Sequence, residues 1–208
     1  KQKKQDGNYF DSFIGVDFLF DKRNQRYQTT SGFFSNYNVS MPILSDTNTL
    51  TNTYNYKIFK ELYENNVSTL SFLFKGASSL SNDDIKLSER LYIPGKRLRG
   101  FETGKIGPKD GNDFIGGNYV SSINATTTIP TFLENVQNVD VVLFADAANI
   151  WGVDYDSSLD KNGIRSSIGV GIDWLTPVGP LTFSFAHPVT KESTDIEQTF
   201  RFNIGTSF

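Results

Sequence analysis

The chain contains no cysteine and a single histidine, His187, and both shortages exclude classes of function. Without cysteine, a disulfide framework and a thiolate metal site are excluded. A catalytic histidine needs a partner within hydrogen-bond reach, and no nucleophile motif surrounds His187. We therefore expect no enzyme activity, no cofactor and no metal.

Long apolar runs are also missing, so no segment approaches the roughly 20 residues that a membrane-spanning helix requires.

An excess of positive charge is missing as well. The 208 residues carry a formal net charge of −3, and the sequence pI is about 5.2. Proteins that bind nucleic acid usually carry a basic patch that neutralises phosphates. The charge balance therefore predicts no nucleic-acid partner.

Aromatic residues, by contrast, are abundant: there are 18 Phe and 9 Tyr against one Met. They crowd the same segments as Asn, Ser and Thr, and these segments alternate between apolar and polar residues, which is the period of a β-strand. Small polar residues opposite aromatic ones are typical of transmembrane strands. We predict nine strands, at residues 13–20, 33–41, 50–58, 67–76, 118–130, 139–147, 164–174, 181–185 and 199–208.

The predicted connections are of two kinds. Short turns follow Pro130 and Thr176, whereas long polar connections occur at residues 86–117 and 152–163. Short turns at one end and long loops at the other are typical of an outer-membrane barrel. A soluble sandwich would also alternate, but its exposed face normally carries charges rather than Asn, Ser, Thr and Gly. The pattern favours an all-β, antiparallel transmembrane β-barrel.

Five stretches, in the same order, resemble the C-terminal part of the BamA family of outer-membrane barrel assembly factors. The resemblance implies a sixteen-stranded barrel preceded by POTRA domains. By this comparison, residues 1–208 are the C-terminal portion of the barrel, strands eight to sixteen, and the POTRA domains and first strands are absent from this chain. The matching stretches are residues 21–32, Leu98-Arg99-Gly100-Phe101 with Ile106-Gly107-Pro108, Gly116-Gly117-Asn118, residues 174–188 and residues 200–208.

The resemblance places Arg99, Gly100 and Phe101 in a loop that folds back into the barrel lumen. A guanidinium group is permanently charged and planar, so inside a narrow lumen it needs a partner. Asp146 lies on the lumen side of its predicted strand, and we predict a side-chain ion pair between Arg99 and Asp146. The family often supplies a second carboxylate on the preceding strand. The matching position is Thr126, which is therefore a candidate second contact.

The last strand, with the segment 196–208, matches the family's lateral gate, the seam between the last strand and the first. The candidate gate residues are Phe200, Phe202, Ile204, Gly205 and Phe208. The implied function is folding and insertion of client outer-membrane proteins at the bacterial outer membrane. The implied partners are these clients, accessory assembly lipoproteins and the lipid bilayer. Related translocation barrels (TamA-like or two-partner secretion transporters) and a passive porin-like channel are the alternatives.

Nine strands cannot close a sixteen-stranded barrel, and hydrocarbon does not tolerate an open sheet edge. Three explanations follow from the sequence. The chain is a fragment, the missing strands belong to another chain, or exposed edges pair between copies to form a homo-oligomer. The pattern of residues does not choose among them.

Overall fold

Nine long strands form the main sheet of the chain in a computed structural model, which describes residues 8–26, 28–64, 66–81, 83–129, 138–160, 162–177 and 179–205. All nine strands predicted from the sequence are confirmed. Four two-residue strands, which the sequence did not predict, lie within connections. The thirteen strands are β1 (Phe13–Asp21), β2 (Gly32–Pro42), β3 (Thr49–Tyr63), β4 (Asn66–Ser79), β5 (Gly100–Phe101), β6 (Lys109–Asp110), β7 (Asp113–Phe114), β8 (Tyr119–Ile129), β9 (Val139–Trp151), β10 (Arg165–Thr176), β11 (Gly179–Thr190), β12 (Glu197–Gln198) and β13 (Phe200–Ile204).

The long strands form one antiparallel sheet in which neighbours along the chain are also neighbours in space. The order is β1-β2-β3-β4-β8-β9-β10-β11-β13, so the sheet is an up-and-down meander. The connection between β10 and β11 is short, as predicted. The predicted turn after Pro130 lies outside the described residues. The long connections β4–β8, β9–β10 and β11–β13 all lie at the opposite end of the sheet.

The outer face of the sheet is apolar and exposed. Rings on neighbouring strands contact one another across it: Phe183 lies 4.9 Å from Phe202, and Phe33 lies 6.0 Å from Tyr56, between ring centroids. Cross-strand aromatic pairs stabilise a sheet, but here they leave their outward side uncovered. Other exposed apolar residues on this face are Ile14, Val16, Phe18, Phe20, Ile168, Val170, Ile172 and Trp174.

The inner face is mostly polar, with apolar residues such as Val120 and Ile150 on β8 and β9, and part of it is buried. One row of buried polar residues crosses the sheet, because Ser71 pairs with Asn124, Asn124 with Asp146, and Asp146 with Ser167. These residues are buried because the connection between β4 and β8, residues 80–118, packs against them. We call this connection the lumen loop. The predicted alternation is thus confirmed, with the polar side turned toward the loop.

The lumen loop contains the main apolar cluster of the chain. Its side chains pack against Val120, Ala148 and Ile150 of β8 and β9, and all of them are almost fully buried. Burial of large apolar side chains is the dominant stabilising term in folding, so this cluster holds the loop on the sheet. The loop residues in the cluster are Ile93, Leu98, Phe101 and Ile106.

The sheet has two edges, β1 and β13. Strand β13 ends at Ile204, earlier than predicted, and Gly205 lies in a bend with φ of +113°. This φ lies far from that of an extended strand, so Gly205 does not continue the regular strand. Phe208 lies outside the described residues. None of the described helices is long and apolar enough to cross a membrane.

Candidate functional site

The candidate site begins with a tight turn in the lumen loop. Gly95–Arg97 form one turn of 3₁₀ helix after Pro94, closed by a hydrogen bond of 2.8 Å from the Arg97 amide to the Pro94 carbonyl. Leu98 is extended, and Gly100 has φ of +92°. The chain therefore turns twice within six residues. The first turn brings Arg99 against the inner face of the sheet.

Arg99 and Asp146 are in contact through both ends of the guanidinium fork. Nε of Arg99 donates to Oδ2 of Asp146 at 2.7 Å, and Nη2 donates to Oδ1 at 2.7 Å. The Arg99 amide also donates to Oδ2, at 3.1 Å. The Asp146 side chain is fully buried, and the Arg99 side chain is 13% exposed. The structure thus brings together the two residues that the sequence paired.

The ring of Phe144 completes the surroundings of this guanidinium. Cζ of Arg99 lies 3.4 Å from the ring centroid. A guanidinium over an aromatic face is attracted by the ring quadrupole, an interaction worth about 0.5–2 kcal/mol depending on exposure. Phe144 and Asp146 are two residues apart on β9, so they share its inner face. One strand therefore supplies both the counterion and the ring.

The second contact at Asp146 comes from Asn124, whereas the sequence suggested Thr126. Nδ2 of Asn124 donates to Oδ1 of Asp146 at 2.9 Å. The strand register explains the difference: Asn124 is the cross-strand partner of Asp146, and Thr126 is the partner of Phe144. Within the part of the chain that the structure describes, Thr126 is not among the hydrogen-bond partners of Arg99 or Asp146. Its predicted role in this contact is therefore corrected to Asn124.

A second arginine in the same turn, Arg97, was missed at the sequence level. Its Nη2 donates to Oδ1 of Asn55 at 2.6 Å, and its Nη1 donates to Oδ1 of Asn124 at 3.2 Å and to Oγ of Ser71. Arg97 thus binds β3, β4 and β8 through neutral oxygens. The only signal in the sequence was the row of Asn and Ser on the inner face.

Gly100 allows the loop to approach the sheet closely. A Cβ atom at this position would lie 3.2 Å from Cβ of Ala186 and 3.3 Å from Cβ of Ser167. Both distances are shorter than ordinary van der Waals contacts, and the positive φ adds strain for any L side chain. Glycine is therefore required here both by the backbone conformation and by the space.

Phe101 anchors the loop through its ring, which is only 1% exposed. It packs in the apolar cluster with Leu98 and Ile150. Its backbone belongs to β5, which pairs with β12: Gly100 is opposite Gln198, and Phe101 is opposite Glu197. Arg99, Gly100 and Phe101 therefore make three different contacts. Arg99 binds a carboxylate, Gly100 lies close to the sheet, and Phe101 packs in the apolar cluster of the loop.

Asp154, which lies between β9 and β10, holds the lumen loop near its start and at its end. Its Oδ2 accepts hydrogen bonds from the Ile85 amide at 2.7 Å and from Nδ2 of Asn118 at 3.2 Å, and Oδ1 accepts from Arg90. Burial alone would raise the pKa of Asp154, but these hydrogen bonds and the charge of Arg90 together hold it below its ordinary value. The carboxylate therefore stays ionised at neutral pH.

The candidate gate residues lie on the outer face of β13. Phe200, Phe202 and Ile204 are exposed; the ring of Phe202 stacks on Phe183 of β11, and that of Phe200 is tilted against Phe185. Gly205 has open space around it. Arg201, on the inner face, is nearly buried and contacts the lumen loop; the sequence gave no sign of this contact. Phe208 lies outside the described residues.

A cavity of about 760 Å³ lies between the lumen loop and the inner face. Its charged lining residues are four cations, Lys75, Lys96, Arg97 and Arg201, and one carboxylate, Glu102. The arrangement is suited to holding a loop and a strand in place.

Comparisons with known proteins identify the family of the chain. The family model described as the Omp85 superfamily domain matches residues 1–208. The outer membrane protein assembly factor BamA of Neisseria meningitidis serogroup B is 31% identical over 154 residues, which are 60% of this chain and 19% of that protein. BamA of Nitratidesulfovibrio vulgaris is 29% identical over 220 residues, which are 99% of this chain and 27% of that protein.

A solved structure gives the same result for the fold. The crystal structure of BamA from Haemophilus ducreyi lacking POTRA domains 1–3 superposes with a TM-score of 0.84 at 24% identity, over 91% of this chain and 41% of that one. At this identity the likeness shows the fold alone. The chain spans less than a third of the length of the two curated relatives described above.

Proposed function

The chain belongs to the Omp85 superfamily, and from this premise we propose that it is the C-terminal part of the barrel of an outer-membrane protein assembly factor. The proposal assigns the protein to the bacterial outer membrane and gives it client barrel proteins as substrates. The observation that carries it is the lumen loop, which is bound to the sheet through Arg99 and Asp146 and lies beside a short final strand. The curated relatives at 31% and 29% identity, both named as assembly factors, support it.

The outer face supports a location in the membrane. It presents a continuous apolar and aromatic surface, including Phe18, Val170 and Phe202. In a soluble protein such a surface would need a covering layer, because exposed apolar patches this extensive are rare. Lipid tails supply that layer for a transmembrane barrel, whose outer residues are apolar while its inner residues are polar.

The short final strand supports a lateral gate. Strand β11 has twelve residues, but its register with β13 covers only the five from Leu181 to Phe185. The other side of β13 is a sheet edge. An edge strand presents unpaired amides and carbonyls that can bind another strand. A client strand could therefore add to this edge by β-augmentation, with no cofactor and no covalent step.

The lumen loop has a supporting role in this mechanism. Arg99 and Asp146 join the loop to β9, and Arg97 joins it to β3, β4 and β8. Contacts that span several strands resist changes in sheet curvature. The loop therefore maintains the curvature of the sheet while the junction between β13 and the first strand of the barrel opens.

The remaining strands of the barrel belong to the longer protein in this proposal. Pairing of β1 with a preceding strand, and of β13 with the first strand of the barrel, would satisfy the two edges of the sheet. Accessory assembly lipoproteins are further partners in this proposal. A homo-oligomer through paired edges remains a prediction that the size of the purified full-length protein would test.

A passive channel is less well supported than an assembly factor. A channel requires an open lumen, whereas the lumen loop covers the inner face of β8 and β9 through the cluster around Val120 and Ile150. A translocation barrel of the same superfamily has the same kind of loop. The type and number of POTRA domains in the full-length protein, together with an assay of client folding, separate that branch from an assembly factor.

The experiment is client folding by the full-length protein in liposomes, with a disulfide joining β13 to the first strand of the barrel. The matched control joins β13 to β11 through Thr182→Cys and Asn203→Cys, which face each other in the register and are not candidate gate residues. We expect oxidation to stop client folding in the first variant, reversibly with reductant, and to leave it unchanged in the control. Normal folding with the gate oxidised would refute the proposal.

A further inference from the structure

The segment that precedes the last strand leaves the main sheet and runs along the lumen loop. Pairing of β13 with β11 ends at Phe200 and Phe185, followed by one bond from the Ala186 amide to the Thr199 carbonyl at 2.9 Å. Before that point, β12 pairs with β5 of the lumen loop. The last residues of β11, up to Thr190, have no partner in β13. The last strand is therefore attached at this end to the loop.

Two further hydrogen bonds extend this attachment. The Glu102 amide donates to the Ile196 carbonyl at 2.8 Å, and the Ile196 amide donates to the Lys105 carbonyl at 3.0 Å. Together with the β5–β12 pair, they form a small ladder between the loop and the segment before β13. Each such amide is protected from solvent exchange while the ladder is formed.

Arg201 reinforces the ladder from within β13. It is 8% exposed and points to the inner face. Its Nη1 donates to the Gly95 carbonyl and its Nη2 to the Phe101 carbonyl. Gln198 accepts from Nε at 3.2 Å and from Nη2 at 2.8 Å. Only a planar fork with several donors can reach these three acceptors together, which distinguishes arginine from lysine.

The same loop segment is therefore held from two sides. Asp146 of β9 binds Arg99, and Arg201 of β13 binds the carbonyls of Gly95 and Phe101, on either side of Arg99. The loop bridges a central strand and the last strand. A displacement of one end strains the contacts at the other, because both act on seven consecutive residues.

We infer that Arg201 is a positioning residue that couples the last strand to the lumen loop. While the lumen loop is docked on Asp146, Arg201 holds the N-terminal end of β13, which follows β12, in contact with the loop. When the loop leaves Asp146, this end of β13 is released, and the converse also holds, since coupling between two sites is reciprocal. The inference deepens the proposed function, because β13 is the proposed gate strand. The coupling itself is a property of the fold and exists without a client.

Hydrogen exchange on the full-length protein in detergent micelles tests the coupling. We expect Arg201→Gln to speed exchange of the Glu102 and Ile196 amides by about tenfold or more, since it removes charge-assisted bonds to buried carbonyls. Asn203→Ala is the matched control, because Asn203 lies on the same face of β13, two residues further along. It should leave both amides unchanged. Amides of Val120 and Ile150 should not change in either variant.

Two further measurements test whether the coupling acts in both directions and whether it requires the guanidinium group of Arg201. Asp146→Asn should speed exchange of the Arg201 amide in β13, and in the Arg201→Gln background its added effect should be smaller. Arg201→Lys should fail to restore protection of Glu102. If Arg201→Gln does not fold, Gln198→Ala, which removes one acceptor, should give a smaller change in the same amides.

Several results would overturn the inference. Unchanged exchange at Glu102 in Arg201→Gln, an equal change in Asn203→Ala, full rescue by lysine, or additive effects with Asp146→Asn would each do so. Client folding by the same variants is measured separately. Coupling without any effect on client folding would therefore count against the proposed function and leave the inference standing.

Discussion

Replacement of Asp146 tests the loop contact most directly. Its two carboxylate oxygens accept four hydrogen bonds, three from Arg99 and one from Asn124, and the side chain is fully buried. Asp146→Ala leaves a largely buried guanidinium without its counterion. Breaking a buried pair in this way costs about 3–5 kcal/mol. We expect that loss in the free energy of loop docking.

Asp146→Asn preserves the shape but replaces one acceptor oxygen with a donor. Two of the four donors then lose their acceptor, and each unsatisfied buried group costs about 1–3 kcal/mol. We therefore expect a loss of at least about 2 kcal/mol. Removing both charges, with Arg99→Leu and Asp146→Leu together, should cost less than the sum of the single changes, because no charge is left buried without a partner.

The assay is the exchange rate of the Glu102 amide in the full-length protein, which reports opening of the loop. A loss of about 3 kcal/mol corresponds to exchange faster by about a hundredfold. Asp140→Asn is the control, because Asp140 lies on the same face of β9 but is exposed, and surface changes usually stay within about 0.5 kcal/mol. A loss below about 1 kcal/mol in Asp146→Ala, or additive single and double changes, would refute the reasoning.

Three further predictions concern other contacts. Gly100→Ala should cost about 1–3 kcal/mol of loop docking, since it places strain at a positive φ and crowds Ala186; an unchanged Glu102 exchange rate would contradict this. Val170→Arg, on the outer face of β10, should cost about 2–4 kcal/mol of barrel stability in lipid, whereas Val170→Leu should cost little; urea unfolding of the full-length protein in vesicles measures both. The pKa of Asp154 is lower in the folded chain than in the unfolded one, so its contribution to stability is present at neutral pH and is lost as the pH falls through the folded-state pKa. Protection of the Ile85 amide should therefore persist at pH 5 and weaken only in stronger acid, and early loss near pH 5 would contradict the assignment.

The strands were predictable because alternation identifies both a strand and its faces. Period-2 patterns located all nine long strands and placed Asp146 on the inner face. The same property explains the difference at Thr126. Faces repeat every two residues, so Thr126 and Asn124 share a face, and only the register decides which of them contacts Asp146. Register depends on how whole strands pair. The alternation of residues shows the face of a side chain, but it does not show which residue on the next strand is its partner.

The contacts of Arg97 and Arg201 were not predictable for a different reason. Both arginines bind residues that are remote in sequence, and Arg201 reaches carbonyls of Gly95 and Phe101 about a hundred residues away. Strands β5 and β12 have two residues each, too few to show a period. These elements exist only because the loop is docked, and tertiary contacts therefore determine them. Strand β13 ends before Gly205, a candidate gate residue in the sequence, because the φ of Gly205 is not that of a strand.

Capture of a client at the β13 edge is the central claim of the proposed function, and photocrosslinking tests it most directly. A photoreactive residue at Phe202, on the outer face of β13, is compared with one at Leu143, on the outer face of β9 in the middle of the sheet. With a client barrel stalled on the full-length protein, we expect crosslinks to the client from position 202 and none from position 143. Equal crosslinking from both positions, or crosslinking only from position 143, would contradict it.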